Sequence, residues 1–150
     1  MLVKEIMRDD VIILYPHATF LDAATLFLRH EMSAAPVVNE EGKLIGILSE
    51  KDLLRAMYPS YSDITQSNQW QEVTPLAEKK TVTDIMSRRL ISARPEQSVL
   101  TVGGLMVATG IHHVPVVNEV NDVIGMISRG DIYRAILKEK FHVYPLPHAT

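Results

Sequence analysis

Cysteine is absent from the 150 residues, which removes disulfide scaffolds, thiolate zinc sites and cysteine nucleophiles together and makes the cytoplasm the expected compartment. No uninterrupted apolar run approaches the roughly 20 residues that span a bilayer, so no contact with a membrane is expected. The first ten residues mix Lys4, Glu5, Arg8, Asp9 and Asp10 among their apolar positions, which is not the pattern of a secretory leader. Charge of one sign is nowhere concentrated: 15 Lys and Arg stand against 18 Asp and Glu, scattered for a net charge of −3. A nucleic-acid-binding face needs a dense basic field and is not expected. The 6 histidines show neither His-x-x-x-His spacing nor a sequence-local carboxylate cluster, so no metal site is expected. No nucleophile–base pair or phosphate-binding lysine loop recurs either, and the chain is not read as an enzyme.

What is present is ordinary globular composition, 47% apolar and 22% charged, and a repeat. Pro36-Val37-Val38-Asn39-Glu40 returns unchanged as Pro115-Val116-Val117-Asn118-Glu119, an offset of 115 − 36 = 79 that holds without a gap. Residues 3–57 laid on 82–136 give 18 identities in 55 positions. The chain therefore divides into a first repeat ending at 57, a connector 58–81, a second repeat 82–136 and a tail 137–150. A lone unit of about 55 residues buries little surface, so the copies are expected to share a core through pseudo-twofold packing.

Thr19 and Ser98 are candidate N-caps ahead of helically spaced apolar residues: Leu21, Ala24, Phe27 and Leu28, or Leu100, Gly103 and Val107. The β-branched runs after Pro36 and Pro115 read as hairpins. Their turns call for a positive backbone φ, supplied by Gly42 in one copy and by asparagine within 118–122 in the other. Ser49 and Ser128 open a second helix. With short leading strands at Val11–Leu14 and Leu90–Ala93, each unit reads β-α-β-β-α, an α+β fold.

Ile6-Met7 and Ile85-Met86, the Pro-Val-Val after the first helix, and Gly46-Ile47-Leu48-Ser49-Glu50-Lys51-Asp52 with Gly125-Met126-Ile127-Ser128-Arg129-Gly130-Asp131 together resemble the CBS domain, named for cystathionine β-synthase. The resemblance covers both repeats. It implies a tandem pair, a Bateman module, with clefts that hold AMP, ADP, ATP or S-adenosylmethionine as a regulatory ligand, with no cofactor required. By the same resemblance, one cleft joins Ser49, Lys51 and Asp52 to Leu90, Ile91, Ser92, His112, His113 and Val114. The other joins Ser128, Arg129 and Asp131 to Val11, Ile12, Ile13, Ser33, Ala34 and Ala35. The family also implies a flat homodimer and a protein partner that reads the ligand state.

The chemistry suits the motif. An ionised aspartate only accepts hydrogen bonds, and its two oxygens match the two hydroxyls of a ribose. Ser-x-x-Asp is equally a capping box that needs no ligand, and a capped helix N-terminus can itself meet a phosphate. His112 and His113 are candidate phosphate contacts, with a preference for charged ligands expected to weaken above about pH 6.5 as imidazole loses its proton, or else ordinary imidazoles. Gly46 and Gly125 mark either a close backbone approach or a simple bend. Arg55 and Arg134 are expected to be exposed helix residues or partners of nearby carboxylates rather than ligand contacts. Tyr58, Tyr61, Ile64, Trp70, Val73 and Leu76 of the connector, and Phe141 to Pro147 of the tail, are expected to pack against something. The alternative function is a ligand-free dimerisation or protein-interaction scaffold.

Overall fold

A computed structural model describes residues 1–58 and 78–145. Tyr61, Ile64, Trp70, Val73 and Leu76 of the connector, and Leu146 and Pro147 of the tail, lie outside the described residues. The first repeat contains α1 (Phe20–Arg29), β1 (Ala34–Val38), β2 (Leu44–Ser49) and α2 (Glu50–Met57). The second contains α3 (Val82–Ile85), α4 (Val99–Thr109), β3 (His113–Val117), β4 (Val123–Ser128) and α5 (Arg129–Phe141). A 3-10 turn at Val3–Glu5 stands where α3 stands in the second copy.

The caps form where the sequence places them. Thr19 Oγ1 accepts from the Asp22 N–H at 3.1 Å while Asp22 Oδ2 accepts from the Thr19 N–H at 3.2 Å, and Ser98 Oγ accepts from Leu100 at 3.2 Å. Phe20, Ala23 and Phe27 then fall on one buried face of α1, and Val99, Val102 and Met106 on that of α4. β1 pairs antiparallel with β2, from Ala34 opposite Ser49 to Val38 opposite Leu44. At the hairpin tips Gly42 has φ +79° and Asn121 has φ +65°. Two residue types thus meet the same left-handed requirement.

Each expected leading strand shrinks to one bridge. Leu14 donates to the Pro36 carbonyl at 2.9 Å and accepts from Val38 at 3.0 Å, and Ala93 does the same with Pro115 and Val117 at 2.8 and 2.9 Å. The parallel ladder cannot continue backwards to Ile12 or Ile91, because Pro36 and Pro115 have no N–H to donate.

The residues fall into two compact units that cut across the repeat boundaries. Ile12–Leu90, with the hairpin tip Asn121–Val123, forms one; Met1–Val11 joins Ile91–Val120 and the chain from Ile124 in the other. The leading segments are exchanged. Ser87, from the start of the second repeat, pairs with Ile47 of β2 through hydrogen bonds of 2.9 and 3.0 Å, and Arg8, from the start of the first, pairs with Met126 of β4 at 2.8 and 2.9 Å. Val82 and Met86 accordingly complete the core around Leu14, Val37 and Leu48, while Val3 completes the core around Val116, Val99 and Ile127. Each small unit thus gains apolar cover for its own core from the other repeat's leading segment. Among the described residues no helix is long and apolar enough to cross a membrane.

Candidate functional site

β2 runs directly into α2, and β4 into α5, so each Ser-x-x-Asp sits where a strand end becomes a helix N-terminus. Asp52 Oδ2 accepts from both the N–H and the hydroxyl of Ser49, each at 2.9 Å, and Ser49 Oγ accepts from the Asp52 N–H at 3.3 Å. The second copy is the same: Asp131 Oδ2 accepts from the Ser128 N–H at 2.9 Å and its hydroxyl at 2.8 Å. The capping box is therefore formed twice. It commits one oxygen of each carboxylate to serine, leaving Oδ1 as the oxygen turned to other partners. Both side chains are only 11% exposed.

At Oδ1 the copies diverge. Asp52 has Arg55 at 3.7 Å; Asp131 has Arg134 at 3.0 Å and Arg8 at 3.4 Å. Arg55 and Arg134 thus pair with their own helix's aspartate as expected. Burial works against the ionised form of Asp131, but the hydrogen bonds from the Ser128 backbone and hydroxyl, with Arg8 and Arg134, outweigh it and hold the carboxyl below its ordinary range.

The pre-proline loops meet these caps. The Ser33 carbonyl accepts from the Glu50 N–H at 3.0 Å, and Ala34 and Ala35 pair with Ser49 and Leu48. The His112 carbonyl accepts from the Arg129 N–H at 2.9 Å, and its Nε2 lies 3.0 Å from Arg129 Nη1. His113 opens β3, half-buried, and Val114 is fully buried. Burial lowers the His113 pKa from its ordinary value; His112, Arg129 and Arg8 push the same way and Asp131 opposes them. At neutral pH His113 is uncharged, which moves its protonation below the expected pH 6.5.

Within each unit the pre-proline loop meets its own repeat's cap, whereas the expected clefts draw their loop from the other repeat. Ile91, Ser92, His112, His113 and Val114 belong to the unit of Ser128, Arg129 and Asp131, while Ile12, Ile13, Ser33, Ala34 and Ala35 belong to the unit of Ser49, Lys51 and Asp52. Of the crossed members, Leu90 lies in the Asp52 unit and Val11 in the Asp131 unit. The cause is the hairpin: antiparallel pairing of β1 with β2 brings each pre-proline loop to its own repeat's cap. Lys51 is exposed on the first turn of α2. Arg8 was not singled out from sequence, although it is a charged residue aligned with Ser87, directly after the repeated Ile-Met.

Gly46 and Gly125 resolve to close backbone approach. A Cβ at Gly46 would lie 2.9 Å from the Ser87 carbonyl oxygen, and one at Gly125 2.9 Å from that of Arg8. Among the described residues, no cluster of three His, Asp or Glu has metal-binding geometry.

Two exchanged α+β units, each carrying a capped Ser-x-x-Asp beside a pre-proline loop, define a paired-repeat module. The profile of the CBS domain matches residues 3–59 and 82–138; the chain belongs to the CBS domain family. An uncharacterized protein of Methanocaldococcus jannaschii is 30% identical, over 91% of this chain and 92% of its own. The CBS domain pair of protein MJ0100, solved with 5′-methylthioadenosine and S-adenosyl-L-methionine, is 29% identical at a TM-score of 0.76, over 93% of this chain and 98% of that one. CBSX2 of Arabidopsis thaliana, solved with AMP, is 25% identical at a TM-score of 0.74, over 93% and 98%. By contrast, the chain spans only 23% of the L-aspartate semialdehyde sulfurtransferase of Methanocaldococcus jannaschii that it also matches.

Proposed function

We propose that the chain is a regulatory module that binds an adenosyl ligand, of the AMP, ADP, ATP or S-adenosylmethionine class, and signals to a protein partner by a change of conformation. No catalytic step of its own is involved. The observation that carries this is the pair of carboxylates, Asp52 buried and Asp131 partly buried, each fixed through Oδ2 by its serine with Oδ1 directed to other partners. Oδ1 would accept a ribose hydroxyl, and the helix N-terminus with Ser49 or Ser128 would face the phosphate or its replacement. Lys51 serves the first site; Arg129, His112 and His113 serve the second. The solved relatives with adenosyl ligands support the ligand class. A ligand shifts the module only by binding its two arrangements unequally. The cysteine-free composition supports a cytoplasmic setting. A homodimer is supported by α4, which has no charged residue and leaves Leu100 and Val107 exposed at 61% and 87%.

A ligand-free scaffold is the second reading, favoured by the arginines already on both carboxylates. A thermal-shift panel of adenosyl compounds separates them. A ligand at about 100 times its Kd stabilises by about 2.7 kcal/mol, and the shift is lost in the double variant Asp52→Asn/Asp131→Asn. A melting temperature unmoved by every compound leaves the scaffold.

A further inference from the structure

The two Ser-x-x-Asp sites share a backbone and differ in charge. Arg8 and Ser87 occupy one structural position, each bridged antiparallel to its unit's returning strand at Met126 or Ile47, and both pairs are 79 residues apart. From that position the Arg8 guanidinium reaches Asp131 Oδ1, whereas Ser87 at the matching position carries no charge. Arg129 replaces Glu50, and His112 and His113 replace Ser33 and Ala34. Around Asp131, Arg8, Arg129 and Arg134 give three guanidinium groups against one carboxylate, two net positive charges before either imidazole is counted. Around Asp52, Glu50 and Asp52 are balanced by Lys51 and Arg55.

Two arginines share the one Asp131 oxygen left outside the capping box, and a ribose hydroxyl accepted there displaces one of them. The two side chains are similarly exposed, at 66% and 61%, but Arg134 is on the same helix and closer, at 3.0 Å; Arg8, at 3.4 Å, is the weaker partner and the one displaced. A released guanidinium needs an anion, which a phosphate supplies in bidentate geometry. A nucleoside lacking phosphate displaces the arginine and returns nothing.

We propose that Arg8 makes the second repeat's site select adenosyl ligands that carry a 5′-phosphate over those that do not, exchanging Asp131 for the phosphate when such a ligand binds. The proposal rests on the adenosyl-binding function above and adds the ligand class for one of its two sites. The first repeat's site, electrically balanced, takes phosphate-free adenosyl compounds without this penalty.

Isothermal titration of AMP and of 5′-methylthioadenosine into the full chain tests it, with Asp131→Asn identifying which binding event belongs to this site and circular dichroism confirming that each variant is folded. Arg8→Ser is expected to weaken AMP roughly tenfold there, the usual scale for a lost charge-assisted hydrogen bond, and to leave 5′-methylthioadenosine unchanged or tighter. Arg8→Lys should retain part of the preference, and Ser87→Arg should raise the AMP affinity of the first repeat's site. An unchanged ratio of the two affinities in Arg8→Ser overturns the role of Arg8 alone. Failure of the unaltered chain to bind either compound overturns the adenosyl function, and this proposal with it.

Discussion

Arg8 and Asp131 stand 123 residues apart in the chain, and their side chains meet at 3.4 Å. The contact exists because the leading segment of the first repeat completes the second repeat's unit. It makes the electrostatics of one Ser-x-x-Asp differ from those of its copy.

Acid stability reports the Asp131 carboxyl. Its folded pKa lies below the ordinary value because the Ser128 hydrogen bonds, Arg8 and Arg134 together outweigh burial, the largest single effect and an opposing one. The resulting stability is present above the unfolded pKa, about 3.9, and lost as pH falls through the folded one. Urea denaturation of Asp131→Asn is expected to show a flatter loss of stability below about pH 4 than the unaltered chain. Equal slopes would contradict this.

His113 has the same sign in a higher pH window. Burial, reinforced by His112, lowers its pKa from 6.5, so the unfolded chain takes up this proton first and stability declines as pH falls below about 6.5 towards the folded value. His113→Ala, which installs the residue found at the matching Ala34, is expected to reduce the dependence of Tm on pH between about 5.5 and 7. An unaltered dependence would assign it to other groups.

Gly46→Ala and Gly125→Ala are each expected to cost about 1–3 kcal/mol, since the added methyl meets a carbonyl oxygen of the bridged leading segment that cannot yield like a side-chain tip. Gly104→Ala, in α4 with nothing within 4 Å of the new Cβ, should instead stabilise by about 0.5–1 kcal/mol. Denaturant midpoints of the three variants check the contrast, and a destabilised Gly104→Ala would count against the described packing.

Val107 is the most exposed apolar residue on α4. Val107→Glu is expected to turn a dimer into monomers in light scattering at micromolar concentration while leaving Tm within a few degrees. An unaltered chain that is already monomeric removes the homodimer.

What was legible in the sequence was local or repeated. Thr19, Ser98, Ser49 and Ser128 cap helices because capping is decided within three residues, and Gly42 and Asn121 meet a turn's demand by their own backbone freedom. The two hairpins followed from the repeated Pro-Val-Val. The exchange of leading segments was not legible: Val3, Arg8, Val82 and Met86 find their partners through contacts that leave no periodic trace. The contact of the His112 carbonyl with the Arg129 N–H was not legible for a related reason: strand pairing within each hairpin brings each pre-proline loop to its own repeat's cap. Arg8 was discernible only as an unmatched charge at an otherwise duplicated motif.

A crystal structure of the chain grown with AMP at neutral pH bears most directly on the central claim. A ribose hydroxyl within hydrogen-bond distance of Oδ1 of Asp131 or Asp52, with phosphate at the helix N-terminus beside Ser128 or Ser49, is the predicted result. AMP bound elsewhere, with both carboxylates still held only by their serines and arginines, would contradict it.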